Sequence, residues 1–154
     1  MDWSVFILFL SACFAAAATG SLFPTGEWYL GLKKPWWTPP NWLFPVAWAF
    51  LYLALAISGA RVAGLDNNQY AMGFWSLHIA LNTLWTPVFF GARRLKIGFY
   101  IILLLWLSTC GLIGTSFYVD FFSGVIITPY IFWVSYASAL NFYLWRLNPD
   151  AEQS

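Results

Sequence analysis

The sequence predicts an all-α fold, an integral membrane bundle of five transmembrane helices, and three observations carry that reading. The 154 residues are 61% hydrophobic and only 8% charged, with a mean hydropathy of +0.69. A soluble domain carries about 25% charged residues, so this chain cannot cover a water-facing surface. Its apolar residues arrive in blocks of about twenty, the length that crosses a hydrocarbon core. The blocks show no strict alternation. Lipid admits only helices or closed barrels, because backbone polar groups must be paired internally, and uninterrupted runs select helices.

The first expected helix covers residues 3–22 and is rich in Ala and other small residues from Ser11 onward. Small side chains let helices approach closely or leave room for a ligand. Asp2 and the lack of a basic leader distinguish this run from a signal peptide. Phe23-Pro24-Thr25-Gly26 ends it, and a first loop over residues 23–41 follows. That loop contains Lys33-Lys34-Pro35-Trp36-Trp37-Thr38-Pro39-Pro40. Its prolines fix their own φ and keep Lys34, Thr38 and Pro39 out of helical conformation, and its tryptophans suit an oil–water boundary. The loop reads as a stiff interfacial segment and as a lid.

The second helix is expected over residues 42–62, before the polar loop Asp66-Asn67-Asn68-Gln69. The third runs over 70–90 and stops at Gly91-Ala92-Arg93-Arg94; the fourth covers 95–118. Asp120 marks a short turn, and the fifth covers 121–147 before Asn148-Pro149. All of residues 1–154 form one transmembrane domain in this reading. Pro45, Pro87 and Pro129 fall inside spans, where each removes a hydrogen bond and tends to kink its helix. With five spans, Lys33, Lys34, Arg93, Arg94, Lys96 and Arg146 share one side, against Arg61 alone on the other. The positive-inside bias then places the first loop and the C-terminus in the cytoplasm. It does not decide between an inner and an outer membrane.

A formal net charge of +1 gives no reason to expect a nucleic-acid partner. Cys13 and Cys110 lie in apolar runs without CxxC spacing and read as small core residues. Ionisable side chains inside spans are the usual pointer to function, and His78 is the only titratable residue well inside one. No carboxylate pair, metal cluster or Ser-His-Asp set is available. A lone His without Cys or carboxylate partners reads as a packing residue, so no metal is expected. What remains are aromatic and small-polar faces at helical spacing. They are Trp48 with Tyr52; His78, Asn82, Trp85 and Phe89; and Trp133, Ala137, Leu140 and Asn141. Converging, they would make an apolar cavity with a few polar anchors. Leu140, Tyr143 and Arg146 also fit the weak L/V-x-Y-x-K/R pattern proposed for sterol contact.

Several stretches together resemble one family. They are Trp28-Tyr29, Lys34-Pro35-Trp36-Trp37-Thr38-Pro39-Pro40, Asn82-Thr83-Leu84-Trp85-Thr86-Pro87-Val88-Phe89-Phe90-Gly91, Pro129-Tyr130-Ile131-Phe132-Trp133 and Leu140-Asn141-Phe142. In order and over nearly the whole chain, they are similar to the TspO/MBR family of tryptophan-rich sensory and translocator proteins, which includes the peripheral benzodiazepine receptor. The chain looks like a bacterial member. The resemblance implies a five-helix bundle, commonly a homodimer, that binds porphyrins such as protoporphyrin IX, as well as cholesterol and benzodiazepine-type ligands. Carried over by motif position, its pocket would be lined by Pro39, Trp48, Tyr52, Asn82, Trp133, Ala137 and Leu140. Trp48 and Trp133 match a pair associated in some bacterial members with light-dependent porphyrin degradation. Two features depart from the family. Residues 101–105 are wholly apolar where some members carry an Asp, and Phe142 stands where the sterol pattern has a tyrosine directly after the Asn.

The expectation is a membrane receptor or sensor with no required cofactor. A porphyrin would be its tetrapyrrole ligand, stacked on Trp48 and Trp133 with its propionates toward Lys33 and Lys34, and membrane lipid and a second copy of the chain would be its other partners. The rival readings are a transporter of porphyrin or sterol and a photochemical porphyrin-degrading enzyme built on Trp48 and Trp133. Dimer contacts would draw on Gly111 and Gly114 or on Ala15 to Ala18.

Overall fold

Five long helices pack in a ring in the computed structural model, which describes residues 2–151. They are α1 (Trp3–Leu22), α3 (Leu43–Ala63), α4 (Gln69–Thr86), α5 (Leu95–Val119) and α6 (Phe121–Leu147), with a short α2 (Glu27–Gly31) inside the first loop. Around the ring, α1 packs on α3, α3 on α6, α6 on α5, α5 on α4, and α4 back on α1.

The number of spans differs from the sequence expectation. Four helices, α1, α3, α5 and α6, are long and apolar enough to cross a membrane; the segment expected as the third of five spans is not among them. The cause is composition rather than length. The α-helix runs for 18 residues, about 27 Å of rise, before Pro87 and a π turn over Pro87–Gly91. However, α4 carries Gln69, Ser76, His78, Asn82, Thr83 and Thr86, which dilute its apolar character. Its Trp75, His78, Asn82 and Trp85 are buried within the bundle.

The chain reversals have identifiable causes. Asp2 caps α1 by accepting from the backbone N–H of Ser4 at 2.8 Å, as short polar side chains do at N-caps. Proline 45 is the third residue of α3, where its missing N–H has no intrahelical role, so the kink expected there has no cause. Proline 129 does lie inside α6. Of the two cysteines, Cys13 is buried as expected, whereas Cys110 is exposed on the outside of α5.

Two glycines set close approaches. A Cβ on Gly59 would lie 2.5 Å from Phe9 Cδ1 and 2.8 Å from Trp75 Nε1, so α1, α3 and α4 converge there on a bare backbone. The Trp75 indole then reaches over α3 and donates to the Leu55 carbonyl at 3.0 Å. Gly111, one of the positions expected at a dimer contact, lies against the Phe74 ring within the protein, where a Cβ would collide with it.

One end of the bundle is fastened by Asp120, which ends α5 and N-caps α6 through Ser123 N at 3.0 Å. Its carboxylate also accepts two bonds from Arg61, Nε at 2.8 Å and Nη2 at 3.1 Å. The Arg61 guanidinium beside it, with Ser123, holds the Asp120 carboxyl down at about 2, below its usual 3.8. A depressed carboxylate stabilises the folded state above its unfolded value and loses that contribution as pH falls through the folded one.

Two outcomes follow from this packing. Gly59→Val should cost about 1–3 kcal/mol through overpacking, read as a lower thermal midpoint in detergent, whereas Gly73→Ala, where a Cβ meets nothing within 4 Å, should be tolerated. Asp120→Ala removes cap and ion pair together and should cost about 1–2 kcal/mol at neutral pH. Asp120→Asn keeps a capping residue and should cost less. Both differences from the parent should shrink below pH 3.8 as the parent's own Asp120 protonates toward about 2.

Candidate functional site

Small residues on α1 and large aromatics on α3 leave a cavity of about 660 Å³ between α1, α3, α4 and the first loop. Cys13, Ala16 and Ala17 supply the short side chains on α1. Phe44, Trp48 and Tyr52 recur every four residues along α3 and so project from one face. Asn82, Trp85 and Thr86 close the α4 side, and Thr25, Tyr29 and Asn41 of the first loop complete the wall.

The aromatic wall is ordered by ring contacts. Trp48 stacks on Tyr52 at 5.7 Å and meets Tyr130 edge-on at 6.0 Å. Asn82 donates to the Tyr130 hydroxyl at 2.6 Å. The Asn82 side-chain oxygen and the Tyr52 hydroxyl find no protein partner among the described residues, although both residues are buried (2% and 9% exposed). With Thr25, Asn41 and Thr86, the cavity therefore offers a few neutral polar groups on an apolar aromatic ground.

The structure brings together Trp48, Tyr52 and Asn82 of the residues expected at the site. Pro39 and Trp133 line a second, more open groove of about 600 Å³, with Leu43, Phe50, Pro129 and Phe132 of α3 and α6. Ala137 and Leu140 are buried in α6 and line neither space. Trp48 and Trp133 touch edge to face at 6.3 Å and 88°, so no flat molecule fits between them, and each ring faces a different space. The sterol pattern is likewise divided, with Leu140 turned inward and Tyr143 and Arg146 exposed. Cys13, Ala16 and Phe44 are lining residues absent from the expected set, whereas Trp85 belongs to the α4 face expected to converge there. For Phe44 the signal was its four-residue spacing to Trp48; for α1 it was the run of small residues.

The first loop lies over one end of this cavity and is tied to α6. Asn148 donates to the Lys33 carbonyl at 2.9 Å and accepts from the Lys33 N–H at 2.8 Å. The Tyr136 hydroxyl donates to the Trp37 carbonyl at 2.8 Å, and the Trp37 ring packs against Tyr136 and Tyr143. Lys34 is inward-facing. Its ammonium donates to the carbonyls of Tyr29, Leu30 and Leu32 at 2.6, 3.1 and 3.3 Å and sits 4.6 Å from the Tyr29 ring centre. Partial burial pulls its pKa down. It caps the C-terminal carbonyls of α2, and of the two lysines only Lys33 stands exposed.

A polar layer lies beside the cavity. His78 is fully buried, its ring edge-on to Tyr130 at 4.5 Å and its Nδ1 3.2 Å from Thr109 Oγ1. Thr109 already donates to the Leu105 carbonyl at 2.7 Å, so Nδ1 carries the proton in this pair. His78 lines neither space, and no group of three metal-binding side chains occurs among the described residues. Asn141 joins three helices: it accepts from Trp85 Nε1 at 3.2 Å and donates to the Leu95 carbonyl at 2.9 Å. Asn141→Leu should strand both buried partners and cost about 1–3 kcal/mol, seen as a lower thermal midpoint in detergent.

Comparison with known proteins agrees with this architecture. The family model described as TspO/MBR family matches residues 7–146. The chain is 50% identical to Protein CrtK of Rhodobacter capsulatus, over 97% of this chain and 96% of that protein. It is 43% identical to the Tryptophan-rich sensory protein of Cereibacter sphaeroides, covering 96% and 94%. It is also 33% identical to the Translocator protein of Homo sapiens, covering 84% and 81%. Ordered tryptophans, a proline-rich first loop and a bundle of apolar helices thus converge on one assignment: the chain is a multi-pass integral membrane protein and belongs to the TspO/MBR family.

Proposed function

We propose that the protein is a membrane receptor that binds porphyrins of the protoporphyrin IX type, and other apolar small molecules, in the cavity beneath the first loop. The observation that carries this reading is the aromatic cavity of about 660 Å³ with a free Tyr52 hydroxyl and Asn82 oxygen. That volume lies within the roughly 300–1,000 Å³ of small-molecule sites, and the mix of apolar wall and few polar groups is theirs too. A macrocycle would lie against the Trp48 face, its ring nitrogens toward Tyr52 and Asn82. Its carboxylates would point to the loop end, where Lys33 is an exposed cation.

The names of the relatives divide between sensing and translocation. Binding without coupled transport is favoured because His78, the one titratable imidazole of the bundle, is packed against Tyr130 and Thr109 rather than facing the cavity. Lys33, Arg93, Lys96 and the C-terminal end of α6 gather at one end, as the Lys33–Asn148 bonds and the Arg93–Trp28 and Lys96–Trp145 contacts support. We place that end in the cytoplasm on the positive-inside bias. A homodimer, with Ala15 and Ala18 on the outer face of α1 as contacts, completes the reading.

Titration of protoporphyrin IX against tryptophan fluorescence tests the site. Trp48→Ala should weaken binding about two- to tenfold, the equivalent of roughly 0.5–1.5 kcal/mol of aromatic contact, and Trp133→Ala should weaken it less. Unchanged affinity in Trp48→Ala would remove the macrocycle from this cavity.

A further inference from the structure

The cavity has an open side, and that side faces lipid. Phe14, Ala17 and Gly20 of α1 line the cavity and are also exposed on the outside of the bundle, as are Ala49 and Leu53 of α3. The cause is a splay between these two neighbouring helices. At the Arg61 end they converge, since Gly59 leaves no room for a Cβ against Phe9. Toward the first loop they part: a Cβ on Gly20 would meet nothing within 4 Å, and residues 15–18 are all alanine. The water-facing side is the restrained one. There the loop is held to α6 by the paired Lys33–Asn148 bonds and the Tyr136–Trp37 bond.

We propose that this cavity is filled from the bilayer, through a slot between the loop-side halves of α1 and α3. Molecules already dissolved among the acyl chains enter sideways, with an uncharged edge leading. The reason is that the polar groups awaiting them, the Tyr52 hydroxyl and the Asn82 oxygen, are neutral. A charged group on such a ligand stays behind, at the interfacial end near Lys33. The proposal rests on the cavity being the ligand site, but the route can be measured without any porphyrin.

Cys13 lines the cavity and is 1% exposed, so it serves as an internal reporter of access. In a Cys110→Ser background it is the only thiol. The full-length protein in liposomes is treated either with N-cyclohexylmaleimide, which partitions into lipid, or with a sulfonated, membrane-excluded maleimide. Adducts at Cys13 are followed by mass spectrometry. The apolar reagent should react about tenfold faster or more, and Gly20→Phe, which fills open space, should slow it by about tenfold. Asn148→Ala, which releases the loop from α6, should leave both rates where they were. Equal rates for the two reagents, no effect of Gly20→Phe, acceleration by Asn148→Ala, or labelling by neither reagent would each overturn the lateral route. Failure of protoporphyrin IX to bind while the labelling pattern holds would remove the porphyrin and leave the route standing.

Discussion

Hydrocarbon offers no substitute partner to a polar group, and the packing of α4 follows from that constraint. This helix brings His78, Asn82 and Trp85 into an otherwise apolar ring, where each must find a protein partner or carry the cost of lacking one. They find Thr109 on α5, Tyr130 on α6 and Asn141 on α6. Asn141 in turn holds the first carbonyl of α5. The least apolar of the five helices is thus hydrogen-bonded to α3, α5 and α6 alike. Because α4 is oriented by these bonds, Asn82 lines the cavity while its amide nitrogen is engaged by Tyr130.

The cavity itself comes from a mismatch of side-chain size. Along the loop-side half of α1 the lining is mostly small, with Cys13, Ala16, Ala17, Gly20 and Ser21, while α3 opposite carries Phe44, Trp48 and Tyr52. Convergence at Gly59 fixes one end of this pair, and the large rings hold the other end apart. The aromatic side chains are kept from collapsing into the gap by one another: Trp48 is braced by Tyr52, Tyr130 and Trp133 in different directions. Edge and stacked contacts of this kind restrict ring orientation beyond simple apolar burial.

The two ends of the bundle are fastened by different chemistry. At the Arg61 end a bidentate ion pair joins α3 to the α5–α6 turn. At the loop end, neutral amide and hydroxyl bonds to backbone attach the proline-tryptophan segment to α6. Lys34 belongs to this second group despite its charge, because its donors are taken by three carbonyls of its own loop. The loop thus acts as a strap whose stiffness comes from its prolines and whose position comes from Asn148 and Tyr136.

Class, helix class and family membership were legible in the residues alone, because they rest on local properties. Apolar run length, the short turn at Asp120, the stop at Asn148-Pro149 and the ordered tryptophan motifs each read out from a few adjacent positions. The four-residue spacing of Trp48 and Tyr52 likewise determined that they share a face. Spacing could not say which face of a neighbouring helix that face would meet, since this depends on the rotation and crossing of whole helices. Only the tertiary structure placed Pro39 and Trp133 on a separate groove, buried Ala137 and Leu140 away from both spaces, turned Lys34 inward and left Cys110 outside. The difference between five expected spans and the four that qualify has the same origin. A block of residues 70–90 bounded by loop signals reads as a span, whereas α4 carries polar side chains that the folded chain keeps for partners inside the ring.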